Sequence, residues 1–177
     1  MKKSLIALAV CGAMSTSMVA QADVMPEGVY STVALERMSI EGEGGYDANP
    51  LVVSLGAGYE IMDNVSVEGK VGFGVDDDAD QGLDADVNYM ASVFVKADYD
   101  LTDEFSANAR VGLSHVDVDF DAPGIHENDD VTGLGYGIGV SYQPKGTQWE
   151  YSAGYDVLVD GHDFNAESLS VTVSYKY

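Results

Sequence analysis

Apolar and polar residues alternate with a period of two along most of this chain, and that pattern restricts its fold more than any other feature. At the C-terminal end Leu169, Val171, Val173, Tyr175 and Tyr177 alternate with Ser168, Ser170, Thr172, Ser174 and Lys176. Only a β-strand sorts such sets onto two faces, because successive side chains point to opposite sides. The same reading places strands at Val29 to Ile40, Leu51 to Ile61, Val65 to Val75, Tyr89 to Tyr99, Phe105 to Leu113, Leu134 to Tyr142 and Trp149 to Val157, eight in all. After the first 22 residues, no window offers the roughly 18 consecutive apolar residues of a membrane helix.

Those first residues are read as a cleaved signal peptide. Lys2 and Lys3 precede an apolar stretch, and Ala20-Gln21-Ala22 forms an A-x-A cleavage site between Ala22 and Asp23. Residues 23–177 then form a single exported domain without cysteine, since Cys11 lies in the leader. That domain keeps six Lys plus Arg against 30 Asp plus Glu, a net charge of −24. So few cations exclude a nucleic-acid partner, whose phosphates need a basic patch.

The connections alternate in length. Met62-Asp63-Asn64, Thr102-Asp103-Glu104 and Pro144-Lys145-Gly146-Thr147 read as tight turns, whereas Glu41 to Asn49, Asp76 to Asn88, Asp117 to Thr132 and Asp160 to Glu167 read as long loops. Short turns at one end and long loops at the other describe an antiparallel up-and-down meander that closes on itself and so exposes no edge. The fold expected is an all-β, eight-stranded transmembrane barrel.

Three features turn its apolar face toward lipid. Glycines such as Gly56, Gly72, Gly112, Gly137, Gly139 and Gly154 crowd the opposite face, as a narrow lumen requires. Tyr59, Tyr99, Phe105, Tyr142, Trp149, Tyr151, Tyr175 and Tyr177 lie on the apolar face near the short turns, with Phe73 and Tyr89 near the other end, like two aromatic girdles. Lys70, Lys96, Arg110 and Lys176 share the polar face with Glu60, Glu68, Asp98, Glu150 and Asp156, where opposite charges can satisfy one another as a luminal network.

The leader, the eight strands, and segments such as Gly58 to Glu68 and Tyr99 to Gly112 resemble the small Gram-negative outer-membrane barrels of the OmpX/Ail and OmpA-barrel type, a porin-family likeness over all of residues 23–177. The ending Val173-Ser174-Tyr175-Lys176-Tyr177 is similar to that family's assembly signal, carried by Tyr175 and Tyr177, with Tyr in place of the usual terminal Phe. The resemblance implies residence in the outer membrane, contact with its lipid and lipopolysaccharide, and recognition by the barrel-assembly machinery. Nothing follows Tyr177, so no peptidoglycan-binding domain is expected.

Function must then come from lumen and loops. Side chains just fill an eight-stranded barrel, so no open pore is expected. The four long loops hold 18 acidic residues and no Lys or Arg. They point to a structural or adhesin-like role, meeting a host or surface protein or cation-bridged lipopolysaccharide. Asp76, Asp78 and Asp80 are spaced as weak divalent-cation ligands, but Gly82 comes one residue late and Val87 stands where a bidentate Glu belongs, so loose binding is expected rather than a cage. No cofactor is implied. The alternatives are a narrow solute channel and a lipid A-modifying enzyme. The enzyme reading rests on Ser114-His115 beside Asp117, neighbours that a strand sends to opposite faces, and no enzyme activity is expected. His126 and His162 show no ligand spacing.

Overall fold

A computed structural model describes residues 26–42, 46–76, 78–80, 83–122, 125–160 and 164–177. The side chains of residues 41–48, 76–86, 119–129 and 161–164 lie outside the description, as does the cleavage site at Ala22 and Asp23.

Eight long antiparallel strands follow one another around a closed ring: β1 Val29–Gly42, β3 Leu51–Met62, β4 Val65–Asp76, β6 Leu83–Asp100, β7 Phe105–Ala122, β8 Ile125–Tyr142, β9 Trp149–Asp160 and β10 Phe164–Lys176. Two three-residue strands, β2 Tyr46–Ala48 and β5 Asp78–Asp80, pair with β1 and β6 outside the ring. Closure comes from β1 and β10, paired from Tyr30↔Lys176 to Gly42↔Phe164. Every ring strand therefore has two neighbours along its membrane-crossing part, which satisfies its backbone groups where no water can.

The short turns follow from local chemistry. Thr102 Oγ1 accepts hydrogen bonds from the amides of Glu104 (3.2 Å) and Phe105 (3.0 Å), folding the chain back between β6 and β7. Gly146, at φ 75°, takes the left-handed conformation in the β8–β9 turn that a side chain would resist.

The outer ends differ from expectation. Asp117 to Thr132 is paired strand rather than loop: β7 and β8 stay in register up to Ala122↔Ile125. Much of Asp76 to Asn88 likewise belongs to β5 and β6, and the Asp160 to Glu167 segment already enters β10 at Phe164. The period of two continues there, with Val116, Val118 and Phe120 alternating with Asp117, Asp119 and Asp121. Carboxylates on a face open to water do not oppose pairing, so charge alone was a poor marker of loop. Strands β6, β7 and β8 have 18 residues each, about 60 Å at roughly 3.3 Å per residue, whereas a tilted membrane strand needs only about 9–11.

The outward face is apolar and exposed to lipid, with Val93, Leu113, Ile138, Leu169 and Val171 each 58–67% exposed. Tyr59, Tyr99, Phe105 and Tyr151 stand out near the short turns, and Phe73 and Tyr89 near the other end. The inward face is not uniformly polar. Met38, Ile40, Val52, Val87, Met90, Phe94, Val116, Val118, Leu158, Val159 and Ala166 form a buried apolar cluster toward the outer end of the lumen. Bulges help to build it. The register slips between Val87 and Tyr89, so Val87 turns inward (3% exposed) while Tyr89 faces out, although they are two residues apart.

Candidate functional site

Below the apolar cluster the lumen holds two tiers of charge. In the upper tier, Glu36 from β1 and Asp156 from β9, both completely buried, face Lys70 from β4 and Arg110 from β7. Lys70 Nζ is 2.9 Å from Glu36 Oε2 and 3.9 Å from Asp156 Oδ2. Arg110 Nε lies 2.9 Å from Asp156 Oδ1 but out of line for a hydrogen bond, so charge rather than directed bonding holds that pair. Ser168 Oγ donates to Glu36 Oε2 at 2.9 Å. Two carboxylates and two cations leave this tier neutral.

Glycines make the room. A Cβ at Gly137 would strike the Asp156 carboxylate, and one at Gly154 would strike the Arg110 guanidinium. The glycine-rich face seen in the sequence thus accommodates these two side chains.

In the lower tier, Lys96 Nζ lies 3.6 Å from Glu68 Oε1, 3.5 Å from Asp98 Oδ2 and 3.7 Å from Glu150 Oε1. Lys176 Nζ bridges Glu150 Oε2 (3.1 Å) and Glu60 Oε1 (3.5 Å). Tyr30 OH donates to Glu68 Oε1 at 2.7 Å, and Lys96 Nζ sits 5.7 Å from the Tyr30 ring centre. All nine charged residues assigned to the lumen from sequence therefore fall into two contacting groups. Glu36 and Tyr30 were missed. Both lie in β1, where apolar residues occur on both faces and blur the alternation.

At the closing seam, Tyr175 packs edge-on against Trp149 and Tyr177, with ring centres 4.9 and 5.3 Å apart. Its hydroxyl donates to Gln148 Oε1 at 2.6 Å, and Tyr177 OH lies 2.9 Å from Ser31 Oγ. The C-terminal aromatics thus tie β10 to β1 and to the β8–β9 turn.

Ser114 and His115 are not brought together. Ser114 points into the lumen, 3.0 Å from Ser92 Oγ, whereas His115 faces outward, its Nε2 3.0 Å from Tyr89 OH and its Nδ1 2.8 Å from Thr132 Oγ1. Among the described residues no group of three or more His, Cys, Asp or Glu could hold a metal ion. The side chains of Asp76, Asp78, Asp80 and His126, and all of His162, lie outside the described residues.

A closed barrel of eight tilted strands, lipid-facing outside and packed inside, is the architecture of outer-membrane proteins. The family model described as outer membrane protein beta-barrel domain matches residues 6–177. The chain belongs to this family. It is an outer-membrane β-barrel protein.

Three solved structures give the scale of the likeness. Ail, the attachment invasion locus protein of Yersinia pestis, in complex with the heparin analogue sucrose octasulfate, is 20% identical at a TM-score of 0.62, over 86% of this chain and 100% of that one. Neisserial surface protein A is 18% identical at 0.67, over 85% and 98%. The N-terminal β-barrel domain of Pseudomonas aeruginosa OprF is 12% identical at 0.61, over 86% and 100%. At these identities the likeness concerns the fold. No curated protein matches the chain.

Proposed function

We propose that this barrel is a surface-interaction protein, which presents an acidic sheet beyond the outer membrane and passes no solute through its lumen. The observation that carries this is the protrusion of β6, β7 and β8 well past the length a membrane requires. Among the described residues β8 pairs with β9 only from Tyr136 to Tyr142, so Ile125 to Gly135 offers a strand edge as well as a surface.

Ail is seen with a polysulfated ligand. The protruding segments here carry Asp117, Asp119, Asp121, Glu127, Asp129 and Asp130 and no Lys or Arg, so a polyanion would be repelled. A basic surface protein, or lipopolysaccharide bridged by divalent cations, fits this charge. In this reading Tyr175 and Tyr177 serve assembly, the luminal charges hold the barrel shut, and the outward histidine serves no hydrolytic chemistry.

Replacing residues 117–130 by a two-residue turn joins Val116 to Val131, which are already partners, and so leaves the membrane part intact. Adhesion of cells to a surface coated with a basic protein should then fall at least tenfold while the barrel still assembles. For the full chain, adhesion should weaken with salt, since exposed charge is screened beyond about 8 Å at physiological ionic strength. Loss on adding a chelator indicates cation bridging through carboxylates such as Asp129 and Asp130. Adhesion that survives the replacement would refute the interaction role.

The narrow-channel alternative meets the buried apolar cluster, which spans the lumen above two charge tiers. Planar-bilayer recordings should accordingly show no steady conductance, and a stable open step would restore the channel reading.

A further inference from the structure

The lipid-facing wall is not smooth. A depression of about 400 Å³ crosses β3, β4, β6, β7 and β8, a size within the roughly 300–1,000 Å³ of small-molecule sites. One cross-strand row forms its length: Leu55↔Val71, Val71↔Ala91, Ala91↔His115 and His115↔Thr132 are successive register partners. Its floor is low where Gly69 and Ala91 replace the larger residues of the band, and a Cβ at Gly69 would meet nothing within 4 Å.

The row climbs. Val71 is six residues from the inner end of β4 at Val65, whereas His115 and Thr132 are ten from the inner ends of β7 and β8 at Phe105 and Tyr142. The depression therefore starts among apolar side chains at mid-membrane and ends near the outer interface at the only polar cluster on this part of the wall among the described residues. There His115 holds the hydroxyls of Tyr89 and Thr132 on its two ring nitrogens. A hydroxyl that accepts from the ring keeps its own O–H free to donate outward.

We infer that this depression seats one outer-leaflet lipid, with an acyl chain lying over Gly69 and Ala91 and a headgroup oxygen accepting from whichever of the two hydroxyls on His115 accepts from the ring and so keeps its O–H free. The seat is continuous with the wall that already faces lipid, which favours a lipid over a protein occupant. It is also far narrower than the roughly 800 Å² per partner of a stable protein interface. An apolar channel that rises to a hydroxyl donor at headgroup depth matches a molecule with a hydrocarbon end and an acceptor end. The inference is independent of the surface role of the protruding sheet.

The full barrel, purified from outer membranes in mild detergent, can be titrated with lipid A and followed by native mass spectrometry. One retained lipid A per chain is expected. Gly69→Leu fills the floor from outside without touching the fold and should lower retention at least tenfold, and His115→Phe should lower it several-fold. Both variants should show unchanged gel mobility before boiling, which separates loss of the seat from loss of the barrel. Retention unaffected by Gly69→Leu would overturn the inference. So would displacement of the lipid by inorganic phosphate alone, or a second copy of the chain bound in its place and lost on Gly69→Leu.

Discussion

Gly112→Val is expected to abolish the folded barrel, whereas Gly69→Val, also in a membrane strand, should leave it as stable or more so. A Cβ at residue 112 would run into the Val93 carbonyl oxygen and come within 2.7 Å of Phe94 Cα, both backbone atoms of β6. Phe94 and Gly112 are register partners, so relief requires β6 and β7 to part in the middle of the membrane. Overpacking of side chains typically costs about 1–3 kcal/mol, and here no rotamer change can absorb the overlap. At Gly69 the added atoms meet only lipid, and Val has the better strand propensity. Refolding followed by the fluorescence of Trp149, the single tryptophan, together with mobility on unboiled gels, measures both. A Gly112→Val barrel that refolds as the parent does would show that the two strands are not packed this closely.

Asp156→Ala should destabilise the barrel by about 3–5 kcal/mol, the usual consequence of removing one partner of a buried ion pair. The carboxylate is completely buried and faces both Arg110 and Lys70. Without it Lys70 keeps Glu36, but Arg110 loses the carboxylate 2.9 Å from its Nε. The cost should therefore fall mainly on Arg110. Adding Arg110→Ala to Asp156→Ala should recover part of the loss, since it removes the stranded charge, and a double-mutant cycle in urea isolates that coupling. A change below about 1 kcal/mol for Asp156→Ala would mean that the upper tier is solvated and not a structural closure of the lumen.

The alternation of residues such as Leu169 to Tyr177 sufficed for the class of fold, because a period of two has one structural solution and its export and girdle signals say which face meets lipid. The charged residues of the lumen were legible for the same reason: Lys70, Lys96, Arg110 and Asp156 sit on the polar face of regular strands, and a closed barrel leaves that face nowhere to go but inward. Pairing between those residues was not legible. Glu36 meets Ser168 across the closure of β1 on β10 and Lys70 from β4 on the far side of β3, contacts set by register between strands far apart in the chain.

The outer half depended on tertiary structure more heavily. Asp117 to Asp121 alternates as a strand does, yet whether an acidic segment pairs or loops depends on a neighbour long enough to pair with it, and β8 supplies one. The apolar cluster depended on bulges, since a slip of one residue near Asn88 sends Val87 to the face opposite the one its parity with Tyr89 implies. Local pattern thus determined which residues form strands and which faces are apolar, because those properties belong to single segments. Strand extent, charge partners, the closure of the lumen and the depression over Gly69 were decided only when strands distant in sequence came into register, because each depends on what lies across the sheet.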